Sequence, residues 1–255
     1  MDNPRLSISL ALSGGAARGT FHLGFIQALQ EHDVEIKAIS GSSAGTIVGG
    51  AIACGIEPKE VLKIVKSKEF KNLFKFNWFR KSLLCINHNS TVMDKLFRVD
   101  DLSQTKIPLY VCVTDMASHQ SIYAEKGNGK NLIISSCSLV PLFEPFAYEN
   151  KILADGGILD LMPTTPLLKY DYPILGINLM PHKMPKKHSF FSLTKRVWYL
   201  LLATNLPRDI KRCKWYIAPA ELSHIKMFSF NHLQKGFDLG YEHGLKWCQE
   251  NIQQN

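Results

Sequence analysis

The sequence has no long hydrophobic run. The stretch "VWYLLLA" at 197–203 falls far short of the roughly 20 residues a membrane-spanning helix needs. The opening "MDNPRLSISLALSGG" carries Asp2 and Pro4 and an apolar segment too short for a secretory leader, so any membrane contact is expected to be peripheral. Paired cysteines are missing too. The 6 cysteines, Cys54, Cys85, Cys112, Cys137, Cys213 and Cys248, show no C-x-x-C spacing and no adjoining histidine ligands. That pattern argues against a zinc site and fits free thiols in a reducing, cytoplasmic setting, and no metal or other cofactor is expected. Neither G-x-x-x-x-G-K-[ST] nor G-x-G-x-x-G occurs, which leaves a nucleotide site without its usual phosphate loop. Internal repeats and low-complexity tracts are absent.

Acid is scarce beside base: 22 Asp and Glu face 30 Lys and Arg, for a formal net charge of +8. Such an excess can meet nucleic acid, an anionic membrane surface or an acidic substrate. No nucleic-acid motif accompanies it, and nucleic acid is not an expected partner. Much of the excess lies where Lys59, Lys63, Lys66, Lys68, Lys71, Lys75, Arg80 and Lys81 interleave with Phe70, Phe74, Phe76, Trp78 and Phe79. Aromatic side chains entering a headgroup layer beneath cations would produce this pattern, and residues 59–86 are a candidate lid or membrane-docking region. A solvated helix face with its aromatics in the core would produce it as well.

With 255 residues, 45% of them hydrophobic, the chain is expected to form one α/β domain over 1–255 with a substantial core. A β-rich run at 6–12 leads through Ser13-Gly14-Gly15-Ala16-Ala17-Arg18-Gly19 into the helical pattern "TFHLGFIQALQEH". A second strand, "IKAIS", leads through a glycine turn into the small-residue helix "AGTIVGGAIACG". Basic "KEVLKIVKSKEF" reads as a helix running into the aromatic stretch, and "NLIISSCSLV" as a helix stopped by Pro141. Strands are predicted in "PLYVCVTDM", "QSIYAEK" and "PILGINLM". Alternation of strands and helices predicts a three-layer α/β/α fold with a mostly parallel central sheet. Residues 182–196 read as an exposed loop or cap within a variable region to about 215, and the C-terminal "NHLQKGFDLGYEHGLKWCQEN" as a helix weakened by Gly236, Gly240 and Gly244.

The second glycine turn, Gly41-Ser42-Ser43-Ala44-Gly45, has the G-x-S-x-G spacing of a nucleophile elbow. A sharp strand-to-helix turn lifts the central hydroxyl out of the sheet, Gly41 and Gly45 give the backbone room, and the helix N-terminus favours developing negative charge. Ser43 occupies the central position. "SGGAARG" can turn successive backbone N–H groups toward one point, as an oxyanion requires. For the base, "ILADGGILDLMP" sets Asp155 at the end of a strand-like run, before the turn Gly156-Gly157. His182, His188, His224, His232 and His243 follow Asp155 in the order of a Ser-Asp-His enzyme, but none has a convincing setting.

Taken together, "LALSGGAARGTFHLG", "GSSAG", "SSCSLVPLFEP" and "DGGILDLMP" occur in the order found in the patatin-like phospholipase family, and the sequence resembles that family over roughly residues 6–166, with a weaker echo at "FDLGYEHG". The resemblance implies a Ser43–Asp155 dyad without histidine, oxyanion donors from Gly14, Gly15 and Ala16, and Arg18 at the basic position of that loop. It also implies hydrolysis of acyl esters of phospholipids, lysophospholipids or related lipids through an acyl-serine intermediate; the basic-aromatic region makes an anionic membrane surface an expected partner, and an activating protein partner is left open. Two positions depart from the family's pattern: Ala16 stands in place of a frequent glycine, and Asp160-Leu161 in place of frequent asparagines. A Ser-His-Asp esterase on small soluble esters and a lipid-binding module without activity are the rival readings.

Overall fold

The computed structural model describes residues 6–76, 82–87, 90–181 and 189–252. Trp78, Phe79, Arg80, Lys81, His182 and His188 lie outside them. The strands are β1 (Ser7–Leu12), β2 (Glu35–Ser42), β3 (Phe74–Phe76), β4 (Leu84–Ile86), β5 (Leu109–Asp115), β6 (Gln120–Ala124), β7 (Phe146–Tyr148), β8 (Lys151–Asp155), β9 (Ile174–Ile177) and β10 (Trp215–Ile217). The helices are α1 (Thr20–Glu31), α2 (Ala44–Ala53), α3 (Pro58–Lys66), α4 (Lys68–Lys71), α5 (Val92–Leu96), α6 (Gly129–Ser136), α7 (Phe190–Leu202), α8 (Leu206–Arg212) and α9 (Leu233–Asn251).

An 8-stranded sheet runs in the order β10-β9-β1-β2-β5-β8-β7, with β6 also paired to β5. From β10 to β5 every pairing is parallel, whereas β8, β7 and β6 pair antiparallel. The period of two along β1 sends Ile8, Leu10 and Leu12 to the main core beneath α1 and α2, and Ala11 to a smaller cluster with Leu167 and α8's Leu206. Apolar residues on both faces are what a parallel strand covered on both sides requires.

Three local expectations need correction. The basic helix breaks at Ser67, and beyond it Phe74–Phe76 and Leu84–Ile86 pair antiparallel as β3 and β4, outside the main sheet. Residues 190–196, read as loop or cap, belong to helix α7, which begins with a Ser189–Ser192 capping box. Helix α6 ends at Ser136 rather than at Pro141, because the chain beyond it must extend for the Ser138 carbonyl to accept the Asp155 N–H at 3.0 Å.

The C-terminal glycines do not interrupt α9; they let it approach α1. A methyl group at position 240 would lie 2.1 Å from the Phe21 carbonyl oxygen, and one at position 24 would lie 1.9 Å from that of Phe237. Neither backbone can yield without parting the helices. Gly240→Ala is therefore expected to destabilise the protein by about 2 kcal/mol, a fall in Tm of roughly 4–8 °C for a chain of this size. An unchanged melting curve would show that the two helices slide apart freely.

Candidate active site

Strand β2 pairs Ser42 with Cys112 of β5, and β5 pairs Val113 with Asp155 of β8. Ser43, one residue beyond Ser42, therefore stands level with Asp155 on the opposite side of β5. The chain at Ser43 turns abruptly from strand to helix, with φ 51 and ψ −122. That region is unfavourable for a residue with a Cβ, and holding it costs about 1–3 kcal/mol. The turn is held on both sides. The Ser43 N–H donates to Ser136 Oγ at 2.9 Å, and Ser136 Oγ donates to the Cys112 carbonyl at 2.6 Å. The Ser43 carbonyl accepts from Thr46 Oγ1 at 2.6 Å. Gly41 remains within the sheet, paired with Leu12 and Val111, while Gly45 packs where a methyl would lie 2.3 Å from the Leu12 carbonyl oxygen.

Asp155 is 3% exposed. Burial pushes its carboxyl up to about 7, against the opposing pull of the Ser43 hydroxyl and the Gly157 N–H. Its Oδ1 accepts the Gly157 N–H at 2.8 Å, which orients the group from the turn that follows. Gly156 fits against β5, where a methyl would meet the Cys112 carbonyl oxygen at 2.2 Å. Asp160, a departure noted in the sequence, is tied into this turn: its N–H donates to the Gly156 carbonyl at 2.8 Å, and its Oδ2 accepts from Tyr123 Oη at 2.6 Å and Arg208 at 2.9 Å. Burial, and then the charge of Asp209, raise the Asp160 carboxyl above its usual range.

The glycine loop lies against the elbow, where a methyl at position 14 would stand 3.8 Å from Ser43 Oγ. The Gly14 N–H, expected among the oxyanion donors, donates to the Leu161 carbonyl at 3.3 Å. Among the described residues the N–H groups of Gly15, Ala16 and Ala44 have no acceptor. Ala44 was missed in the sequence, although the first residue of a helix always carries an unpaired N–H. Ala16 sits at φ 49, the conformation for which glycine is favoured.

Arg18 is engaged by two backbone carbonyls. Its Nε donates to the Ile225 carbonyl at 2.8 Å and its Nη1 to that of Leu179 at 3.1 Å, so it ties the loop to two distant segments. Removing it leaves both carbonyls unpaired. Arg18→Ala is expected to lower stability by about 1–3 kcal/mol and kcat by about tenfold, with Arg18→Lys recovering part of each. Thermal melts and steady-state kinetics would check this, and an alanine variant equal to wild type in both would remove Arg18 from any positioning role. Two further supports left no local signal in sequence. Ser13 Oγ accepts the Leu179 N–H at 2.8 Å, and His22, fully buried and pushed down to about 4 by burial, faces the Ser13 carbonyl through Nε2 at 3.0 Å. His22 is thus neutral near pH 7 and serves to brace the loop.

A cavity of about 930 Å³ opens over Ser43 and Asp155. Ile47, Val65, Leu139, Phe143 and Met227 are among its apolar walls, and its charged lining is Arg18, Lys71, Arg196 and Asp155. Phe70 and Phe74, expected either at a lipid interface or in the core, turn inward and pack with Phe230 in the same wall. No described histidine lines the cavity: His224 is exposed, and His243 lies on α9 beside Glu221, with Nε2 3.9 Å from its carboxylate. Among the described residues no group of three or more His, Cys, Asp or Glu side chains is arranged to hold a metal ion.

The strained turn at Ser43, the neighbouring loop amides and the apolar cavity lined by Ser43 and Asp155 have the layout of a nucleophile elbow in an α/β fold. Known proteins narrow this class. The sequence pattern of the patatin-like phospholipase family matches residues 10–168, and the chain belongs to that family. An NTE family protein of Mycobacterium tuberculosis is 31% identical over 163 residues, covering 63% of this chain and 45% of its own length. The lysophospholipase NTE1 of Mycosarcoma maydis is 30% identical over 172 residues, covering 64% of this chain and 9% of its own. The chain thus spans less than half the length of these relatives. In fold it resembles VipD from Legionella pneumophila, with a TM-score of 0.60 over 95% of this chain and 67% of that one, at 14% identity.

Proposed function

We propose that the chain is a lipid acyl hydrolase acting on phospholipids, lysophospholipids or related lipids, with Ser43 as nucleophile and Asp155 as its base. The observation that carries this reading is the shared level of the two residues across β5, with the carboxyl raised to about 7 and the Ser43 hydroxyl acting on it. A carboxylate this basic can take a proton near neutral pH, which an ordinary aspartate does poorly. As Ser43 Oγ attacks the ester carbonyl carbon, its proton passes to Asp155, and the free N–H groups of Gly15, Ala16 and Ala44 stabilise the developing oxyanion. The C–O bond then breaks, the alcohol leaves with the Asp155 proton, and water cleaves the acyl-serine by the same route to release a fatty acid.

The apolar walls suit an acyl chain. Lys71 and Arg196 in the lining, with no acid besides Asp155, favour a lipid whose head group carries a phosphate. The family and the lysophospholipase among the relatives support the same substrate class. We read the whole chain as one catalytic domain. The Ser-His-Asp alternative has no described histidine to supply its base, and the binding-module alternative leaves the strained elbow unexplained. No helix among the described residues is long and apolar enough to cross a membrane, consistent with peripheral action.

The test is fatty-acid release from lysophosphatidylcholine, paired with a fluorophosphonate probe whose adduct is mapped by peptide mass. Release with the adduct on Ser43 is expected. An adduct on another serine would refute the assignment, and an adduct on Ser43 without fatty-acid release from any lipid would keep the activated serine and discard the substrate class.

A further inference from the structure

Most of the exposed large apolar side chains among the described residues fall on α7. Phe190 is 78% exposed, Val197 55% and Leu201 61%, and Leu193 and Leu200 accompany them. Their spacing of i, i+3, i+7, i+10 and i+11 places them on one side of the helix. The opposite side is occupied: Tyr199 Oη donates to the Met180 carbonyl at 2.9 Å, and Arg196, Tyr199 and Leu202 line the cavity. The helix therefore buries its mixed side against the protein and turns its apolar stripe to water. Such a patch marks a surface that something else covers.

Charge identifies the occupant. From Tyr172 to Arg208 the sequence has no acidic residue, while Lys183, Lys186, Lys187 and Lys195 fall within or just before α7. A second copy of the chain would bring two such acid-free segments together and suffer repulsion. An anionic lipid surface meets both features at once, accepting the apolar stripe at its acyl boundary and the cations at its headgroups. At 13 residues, α7 is about 20 Å long, enough to lie in that boundary and too short to span it.

We propose that α7 docks the protein on an anionic phospholipid bilayer, with Phe190, Val197 and Leu201 inserted, so that the helix lies between the membrane and the cavity that its other side lines. The proposal rests on the reading of the cavity as a lipid acyl site, and it moves the docking surface from the 59–86 region to α7.

The test compares the full wild-type chain with the triple variant Phe190→Asp, Val197→Asp, Leu201→Asp by flotation on phosphatidylcholine vesicles with and without phosphatidylglycerol. Hydrolysis of soluble p-nitrophenyl butyrate and sedimentation velocity without lipid accompany it. Wild type is expected to float with the anionic vesicles, and the variant's partitioning to fall by about a hundredfold. Omitting phosphatidylglycerol is expected to weaken wild-type binding by about tenfold or more, and ester hydrolysis to stay within about twofold, since the three side chains lie off the cavity. Equal flotation of the two proteins, or none by wild type, overturns the proposal. So does a wild-type dimer that the variant dissociates with flotation unchanged, which would assign the face to a second copy. Ester hydrolysis that survives Ser43→Ala would refute the catalytic reading alone, because flotation decides α7 without catalysis.

Discussion

Ser43→Ala is expected to lower kcat for fatty-acid release by about 10⁴ or more while leaving Tm within about 1 °C of wild type. Alanine keeps the Cβ and therefore the strain of φ 51 and ψ −122, and it keeps the N–H bonded to Ser136 Oγ and the carbonyl bonded to Thr46. Only the hydroxyl goes. Glycine at the same position makes the opposite comparison: it loses the hydroxyl and also relieves a backbone strained by about 1–3 kcal/mol, less its greater freedom when unfolded. Ser43→Gly is therefore expected to be as inactive as Ser43→Ala but to melt higher. Such a difference would mean that the elbow is held in an unfavourable shape for the sake of the hydroxyl. An alanine variant that turns over like wild type would remove Ser43 from the chemistry altogether.

The elbow was readable in the sequence because its causes are local. An apolar strand, glycines that admit a close turn, and a small-residue helix all lie within "IKAISGSSAGTIVGG", and the same logic exposed the loop before α1 and the turn after Asp155. What stayed hidden depends on contacts between distant segments. The hydrogen bond from Ser43 to Ser136 joins positions 93 residues apart, and nothing near Ser136 distinguishes it from its neighbour Ser135. The engagement of Gly14 by Leu161 is equally remote. Pattern reading also failed where a residue's usual meaning was reversed. Glycines that weaken an isolated helix admit α9 to the backbone of α1, and the stripe on α7 faces solvent, so the helix lacks the polar outer face by which surface helices are recognised. In the sheet, alternating strands and helices correctly implied parallel pairing from β10 to β5, but β8 enters antiparallel. The register that pairs Asp155 with Val113 sets it level with Ser43, so a pairing outside the repeating strand-helix pattern helps to assemble the site.

Asp155→Asn is expected to cut kcat by about 10³–10⁴ and to abolish the rise of kcat/KM with pH. In wild type the carboxyl must be ionised to accept the serine proton, and with its value at about 7 the rate should climb through neutral pH and level off above it. Asparagine cannot titrate, so the residual rate should be flat across that window. Stability is expected to move the other way. Because the folded carboxyl titrates near 7 and an unfolded aspartate near 3.9, the native state holds an extra proton between those values, and its advantage over the unfolded chain shrinks as pH rises through the interval. Above it the wild type carries a buried negative charge that the variant lacks. Asp155→Asn should therefore match wild type near about pH 4 and exceed it increasingly toward about pH 8, by no more than about 4 kcal/mol. Thermal melts at both ends of the range and a pH–rate profile would read the two effects on one pair of proteins. A variant that retains wild-type turnover would send the search for the base to His182 and His188, which lie outside the described residues. A variant that is inactive yet no more stable at alkaline than at acid pH would mean that Asp155 is ionised at ordinary aspartate pH, and that its basicity comes from proximity to Ser43 rather than from burial.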